Sequence, residues 1–205
     1  MTLFPMFVKL DGKLVVVIGG GAIAQGKIES LLSAGARVRV IAPQVTAQIA
    51  EWVRFRKVEW LPKAFAAGDL ADATLAIAAT SAPGVNGAVF AEAEARKIFC
   101  NAVDDIENCH FYYGAVVQRG DLQIAISTNG KSPALAQRIR KELEVAYPEK
   151  YAEWLDWLGA IREILRADAS DPEHTKALLH QLASREGFDR YRRQSRDSVS
   201  RKEVA

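Results

Sequence analysis

Lys13–Ala24 reads KLVVVIGGGAIA, and this stretch decides how the rest of the chain is organised. Leu14 to Ile18 are five consecutive apolar residues, four of them β-branched, the pattern of a strand buried on both faces of a parallel sheet. Three glycines follow at once. Gly19, Gly21 and Ala24 satisfy the G-x-G-x-x-G/A spacing, and a helix is expected over Ala22 to Leu32, closing at Gly35. In that motif Gly19 lets the strand turn sharply, Gly21 lets the backbone approach a pyrophosphate, and Ala24 lets the helix pack close to the sheet. The unpaired N–H groups at the helix start then face the phosphates. A glycine triplet alone also serves as a tight turn; the strand before it and the helix after it select dinucleotide binding.

Upstream, Met1 to Leu10 is an apolar lead-in whose Phe4, Met6 and Val8 alternate, so a short edge strand or packed arm is expected before the Asp11-Gly12 turn. Downstream, Ala36 to Ile41 (ARVRVI) alternates and ends at Ala42-Pro43, as a second strand does. The tip of that strand meets the adenosine ribose in a dinucleotide fold, and an acidic residue there selects NAD. None lies between Gly35 and Gln48. Arg37 and Arg39 could receive a 2′-phosphate, but their alternation with Val38 and Val40 reads better as a solvated strand face. The residues alone leave NAD and NADP open.

A helix capped by Thr46 runs to Val53, and Lys57 to Leu61 and Asp72 to Thr80 read as the third and fourth strands. Thr80 stands at the carboxyl end of the latter, where its hydroxyl can reach a nicotinamide or ribose; ordinary helix packing is the alternative. A helix over Pro83 to Arg96 and a strand over Ile98 to Val103 complete an alternation that argues for a doubly wound parallel sheet with right-handed crossovers. Asp104-Asp105 follows that strand at once. Paired carboxylates at this edge are candidates for acid or base chemistry, and they are also ordinary turn residues.

The pattern changes after His110. Gly114 to Val117 and Leu122 to Ile126 flank the turn Arg119-Gly120-Asp121 as an antiparallel excursion. The polar loop Ser127 to Pro133 leads into a helix over Ala134 to Val145, with Ser132 as its N-cap and Pro133 as its first residue. Hydroxyls, Lys131 and a helix start together make an anion site; capping alone accounts for Ser132 and Pro133 but not for Ser127 to Lys131. Tyr147-Pro148 marks a boundary. Beyond it Tyr151, Trp154, Leu155, Trp157, Leu158, Ile161, Ile164 and Leu165 fall at helical spacing as a packing surface, and Asp171-Pro172 caps a further helix. Arg185 to Lys202 is basic with few large apolar residues and is expected to fray or form a solvated helix.

Composition bounds these readings. The 205 residues are 49% hydrophobic with a formal charge of +2, enough for a proper core and too little charge to imply nucleic acid. The absence of a signal-peptide pattern and of any membrane-length apolar run predicts a cytoplasmic protein without membrane association. Cys100 and Cys109 are read as reduced structural thiols, and His110, His174 and His180 form no metal-ligand spacing, so no metal site is expected.

Four stretches taken in order resemble the precorrin-2 dehydrogenase family of siroheme synthesis. They are Phe7 to Pro43, Leu75 to Asn86 (LAIAATSAPGVN), Asn101 to Asp105 (NAVDD) and Ile126 to Glu144 (ISTNGKSPALAQRIRKELE). The resemblance implies a Rossmann-like domain over residues 1–113, a small α+β dimerisation domain over 114–147 and a C-terminal helical domain over 148–205, assembled as a homodimer. It implies oxidation of precorrin-2 to sirohydrochlorin with hydride passing to NAD⁺, and it matches Asp104 to the family's general base. It matches Ala22 and Ile23 to pyrophosphate contacts and Pro43 and Gln44 to adenosine contacts. Because the substrate carries many carboxylates, Ser127, Thr128, Lys131 and Ser132 become candidate substrate anchors. Some members also insert Fe²⁺ into the product; the sparse histidines favour a dehydrogenase without that activity. The competing reading is a non-catalytic NAD(H)-sensing module, which leaves Asp104 and the Ser127 to Pro133 loop unexplained. A short-chain dehydrogenase requires a tyrosine with lysine four residues later, and no tyrosine here has one.

Overall fold

The structure, a computed structural model, describes residues 3–167 and 171–202, with side chains described as far as Gln194. The chain divides into two compact units, Leu3–Tyr113 and the segment from Gly114 onward.

In the first unit, β1 (Leu14–Ile18), α1 (Ala22–Ser33), β2 (Arg37–Ile41), α2 (Ala47–Arg54), β3 (Val58–Leu61), β4 (Leu75–Ala78), α3 (Val85–Arg96) and β5 (Phe99–Ala102) follow one another. Every pairing is parallel and the strand order is β3-β2-β1-β4-β5, the doubly wound sheet expected from the alternation. Because successive side chains of a strand point to opposite faces, Val15 and Val17 pack with Ala24, Ile28 and Ile49 while Val16 and Ile18 pack with Val89 and Ala93. Burial of each such side chain contributes about 2 kcal/mol, so β1 alone anchors both helical layers. Its apolar run is continuous because neither face meets water.

The turn leaving β1 is fixed by crowding. Gly19 has φ +118, and a Cβ there would lie 2.2 Å from the Ala79 carbonyl oxygen beyond β4. A Cβ on Gly20 would lie 2.1 Å from the carbonyl oxygen of Gln44 beyond β2. Gly21 differs: nothing lies within 4 Å of its would-be Cβ. The strand exits are therefore drawn together at Gly19 and Gly20 and left open at Gly21.

Several expectations are corrected. The fourth strand is shorter than Asp72 to Thr80, because Asp72 takes a left-handed φ of +66 and turns the chain before Leu75. Residues 3–10 form no strand, and Phe4 is 84% exposed, so the alternation of Phe4, Met6 and Val8 neither pairs nor packs among the described residues. A two-residue period makes a strand only where a partner edge exists. Arg39 pairs with Glu59, its register neighbour on β3, at 2.8 Å, which places it on a strand face as the alternation indicated.

The second unit begins with the hairpin β6 (Ala115–Arg119) and β7 (Leu122–Ile126), followed by α4 (Pro133–Ala146), α5 (Lys150–Ala167), α6 (Pro172–Leu182) and α7 (Arg185–Lys202). Arg119 is buried and ties hairpin to helices: its guanidinium donates to the carbonyls of Tyr147 at 2.8 Å and Glu144 at 3.3 Å and pairs with Glu149 at 3.0 Å. The first half of the helical stripe packs, Tyr151 and Trp154 closing on Phe188 with ring centroids 4.2 and 5.1 Å away, whereas Ile164 in its last turns is 66% exposed. The basic tail forms the helix that its composition allowed, with one face not solvated, because Phe188 is buried at 3% exposure; the side chains of residues 195–205 lie outside the described residues. Among the described residues no helix is long and apolar enough to cross a membrane.

The two glycine environments predict opposite outcomes. Gly20→Ala should lower stability by about 2 kcal/mol or more, as overpacking against backbone does, whereas Gly21→Ala should leave the melting temperature of the ligand-free protein within about 2 °C. Thermal unfolding followed by circular dichroism checks both.

Candidate functional site

All first-unit candidates lie at the carboxyl edge of the parallel sheet, where open α/β folds bind ligands. Gly19 to Gly21 leave β1, Pro43 and Gln44 leave β2, Thr80 follows β4 and Asp104 follows β5. The topology winds in opposite directions from β1 and β4, so the crevice between their exits is the switch point.

α1 starts there without a side-chain cap: Gly21 is its N-cap, no side chain accepts from the first N–H groups, and no acidic residue stands in the first turn. Gly21, Ala22 and Ile23 are exposed while Ala24 is fully buried. An uncapped, unneutralised helix start beneath an open glycine is a fitting cradle for a diphosphate, whose charge the helix dipole favours by about 1 kcal/mol. The β2 exit is clamped to this turn. Thr46 donates its backbone N–H to Gly20 at 2.9 Å, and its hydroxyl donates to Gln25 at 2.7 Å and accepts from Ile49. Pro43 and Gln44 are left exposed beside it. Thr80 lies against Gly19, whose would-be Cβ is 3.3 Å from the Thr80 nitrogen, and its hydroxyl accepts from the Ala82 N–H at 3.1 Å while keeping its own proton to donate.

The two carboxylates after β5 have different surroundings. Asp105 is a turn residue: its carboxylate accepts from Asn108 at 2.6 Å and its N–H donates to Ala102. Asp104 is exposed, takes a left-handed φ of +61, and makes no side-chain hydrogen bond or ion pair among the described residues. A left-handed aspartate costs about 1 kcal/mol and persists because its neighbours hold it. Cys109 donates its thiol toward the Ala102 and Asp105 carbonyls at 3.1 and 3.2 Å, and buried Asn101 donates to Phe111 at 2.8 Å. Burial raises the Cys109 thiol above its ordinary value and pushes Cys100 up to about 12. Cys109 thereby shapes the Asp104 turn, while Cys100 is packed in the core.

Sequence reasoning missed Lys27 and Tyr113. The half-buried Lys27 ammonium lies 3.4 Å over the Tyr113 ring centroid, within electrostatic reach of Asp104. Burial lowers its pKa and the Asp104 carboxylate partly offsets this. Burial also pushes the Tyr113 hydroxyl up to about 12. No local pattern signals this pair, because 86 positions separate the two residues (113 − 27).

In the second unit, the Ser127 to Pro133 loop is organised by its own hydroxyls. Ser127 accepts from Asn129, Thr128 from Ser132 and Ser132 from Leu135, at 3.1, 3.2 and 3.2 Å. Capping and turn formation thus account for more of this loop than the sequence suggested. The Lys131 side chain stays exposed.

Comparison with known proteins agrees with this geometry. A family model described as putative NAD(P)-binding matches residues 6–115, and one described as sirohaem biosynthesis protein central matches residues 119–146. Siroheme synthase 3 of Aeromonas hydrophila is 36% identical over 167 residues, covering 82% of this chain and 36% of the relative. A siroheme synthase of Neisseria meningitidis serogroup C is 37% identical over 167 residues, covering 82% and 35%. The chain thus spans about a third of the length of these curated relatives. Among solved structures, the precorrin-2 dehydrogenase SirC superposes with a TM-score of 0.79 at 28% identity, covering 91% of this chain and 92% of that one. With the putative NAD(P)-binding model over more than half its length and the sirohaem biosynthesis central segment following in order, the chain belongs to the NAD(P)-binding family of sirohaem biosynthesis proteins that these models describe.

Proposed function

We propose that this chain oxidises precorrin-2 to sirohydrochlorin, with NAD⁺ as oxidant and Asp104 as general base. The observation that carries the reading is the placement of an exposed, hydrogen-bond-free carboxylate at the β5 exit, on the same sheet edge as an open glycine turn and an uncapped helix start. When bound, NAD⁺ supplies the hydride acceptor. The chain supplies the rest. Gly21, Ala22 and Ile23 offer backbone donors to the diphosphate, Pro43 and Gln44 flank the adenosine, and the Thr80 hydroxyl orients the reactive end. Removing two hydrogens from a reduced tetrapyrrole releases one as hydride and one as proton, and the Asp104 carboxylate accepts the proton. The chain keeps Asp104 available for this by assigning the turn's hydrogen bonds to Asp105 and Cys109.

Lys131, with Ser127, Thr128 and Ser132, is the proposed anchor for substrate carboxylates in the second unit. A homodimer through the β6–β7 segment is part of the same proposal. Neither strand of that two-stranded sheet pairs with a third among the described residues, and Val116 is 45% exposed, which leaves a sheet edge and an apolar side chain for a second copy. An NAD(H)-sensing module would need neither the strained Asp104 nor a precorrin-2 requirement.

Anaerobic incubation with precorrin-2 and NAD⁺ tests the assignment: NADH should appear in proportion to sirohydrochlorin, and its absence from folded protein would reject the reading. Asp104→Asn should lower kcat by at least about 100-fold with NAD⁺ affinity within about twofold of wild type, the scale of a lost general base. Lys131→Ala should raise the KM for precorrin-2 and not that for NAD⁺. Light scattering should return twice the 22.5 kDa chain mass.

A further inference from the structure

Lys27 has chemistry that dinucleotide binding leaves unused. It stands in the second turn of α1, beyond the helix start that receives the diphosphate, and it is half-buried. An ammonium carries three donors and no acceptor. The Tyr113 face attracts the charge from one side at 3.4 Å, but a ring accepts hydrogen bonds only weakly. Among the described residues Lys27 forms no hydrogen bond and no ion pair within 4 Å, although Asp104 is close enough to act on it. Burial accordingly lowers its pKa, the mark of a cation short of counter-charge.

The obvious partner is held away. Asp104 has its backbone fixed in a left-handed turn that Asn101 and Cys109 tie to the end of β5. Cation and carboxylate are thus presented side by side and unpaired. We propose that Lys27 is a substrate-recognition residue: its ammonium, seated on the Tyr113 ring, pairs with one peripheral carboxylate of the tetrapyrrole while Asp104 faces the carbon that loses its hydrogen. This rests on the proposed oxidation of precorrin-2 and adds to it the group that sets which edge of the macrocycle enters. It also removes an electrostatic conflict. A lone cation beside the reacting centre opposes the positive charge that develops as hydride leaves, whereas a cation neutralised by the substrate's own carboxylate does not.

The test uses the full chain and the product, sirohydrochlorin, titrated anaerobically by absorbance. Lys27→Met keeps the aliphatic stem and removes the charge. It should weaken sirohydrochlorin binding by at least about tenfold, flatten the salt dependence of that binding, and leave NAD⁺ affinity within about twofold, as loss of one partly buried charge pair does. Lys27→Arg should recover most of the affinity, and Lys27→Gln serves in the same way should the methionine variant not fold. Unchanged sirohydrochlorin affinity in a folded, uncharged variant would overturn the inference, as would a loss confined to NAD⁺, which would assign the ammonium to the dinucleotide. A wild-type protein that neither binds sirohydrochlorin nor oxidises precorrin-2 would instead reject the functional reading itself.

Discussion

Three strand exits meet at a point where two residues have no room for a side chain. Gly19 fills the space below the Ala79 carbonyl and Gly20 the space below that of Gln44, so β1, β2 and β4 close on one another at their carboxyl ends. Most of the proposed chemistry follows from that crowding. Because Gly19 and Gly20 are spent on packing, the next residue emerges into the open, and the helix it caps begins with donors that no side chain satisfies. A sheet edge pulled tight and one helix start left bare are what the proposed diphosphate site is built from.

The opposite wall is built by a different device. β5 ends in a turn whose polar groups bond to one another, through Asn101, Asp105, Asn108 and Cys109, and leave the Asp104 side chain without a hydrogen bond among the described residues. Its strained φ shows that the turn, not the aspartate, sets the geometry. Lys27 and Tyr113 complete this wall with a cation that is likewise kept from pairing. An exposed carboxylate and a half-buried ammonium are thus held near each other without direct contact, and under the proposed function both serve a polycarboxylate substrate.

The legible parts of the molecule were those written in contiguous residues. Leu14 to Ile18 announced a two-sided strand because both faces of β1 are covered, and Thr46 and Ser132 announced helix starts because a hydroxyl three residues before an N–H has one favoured use. The Arg37–Arg39 alternation described a strand face that Glu59 then occupied in register. Period-two alternation at Phe4, Met6 and Val8 misled, since nothing in those residues specifies a partner edge. The tail forms a helix as its composition allowed, but Phe188 buries one face of its first turn because two buried aromatics await it. Asp104 could be singled out from Asp105 only by resemblance, because hydrogen bonds within the turn separate them. The role of Gly20, outside the glycine spacing, and the pairing of Lys27 with Tyr113 depend on contacts made across the fold and have no local signature.

Under the proposed function a dinucleotide lies across the glycine turn with its reactive end toward the β4 and β5 exits. Amide hydrogen exchange with and without NAD⁺ addresses it directly. Slowed exchange confined to residues 19–25, 43–46 and 80–82, with the strand interiors unchanged, is the predicted result. Protection centred elsewhere in the chain, or none at saturating NAD⁺, would contradict the account.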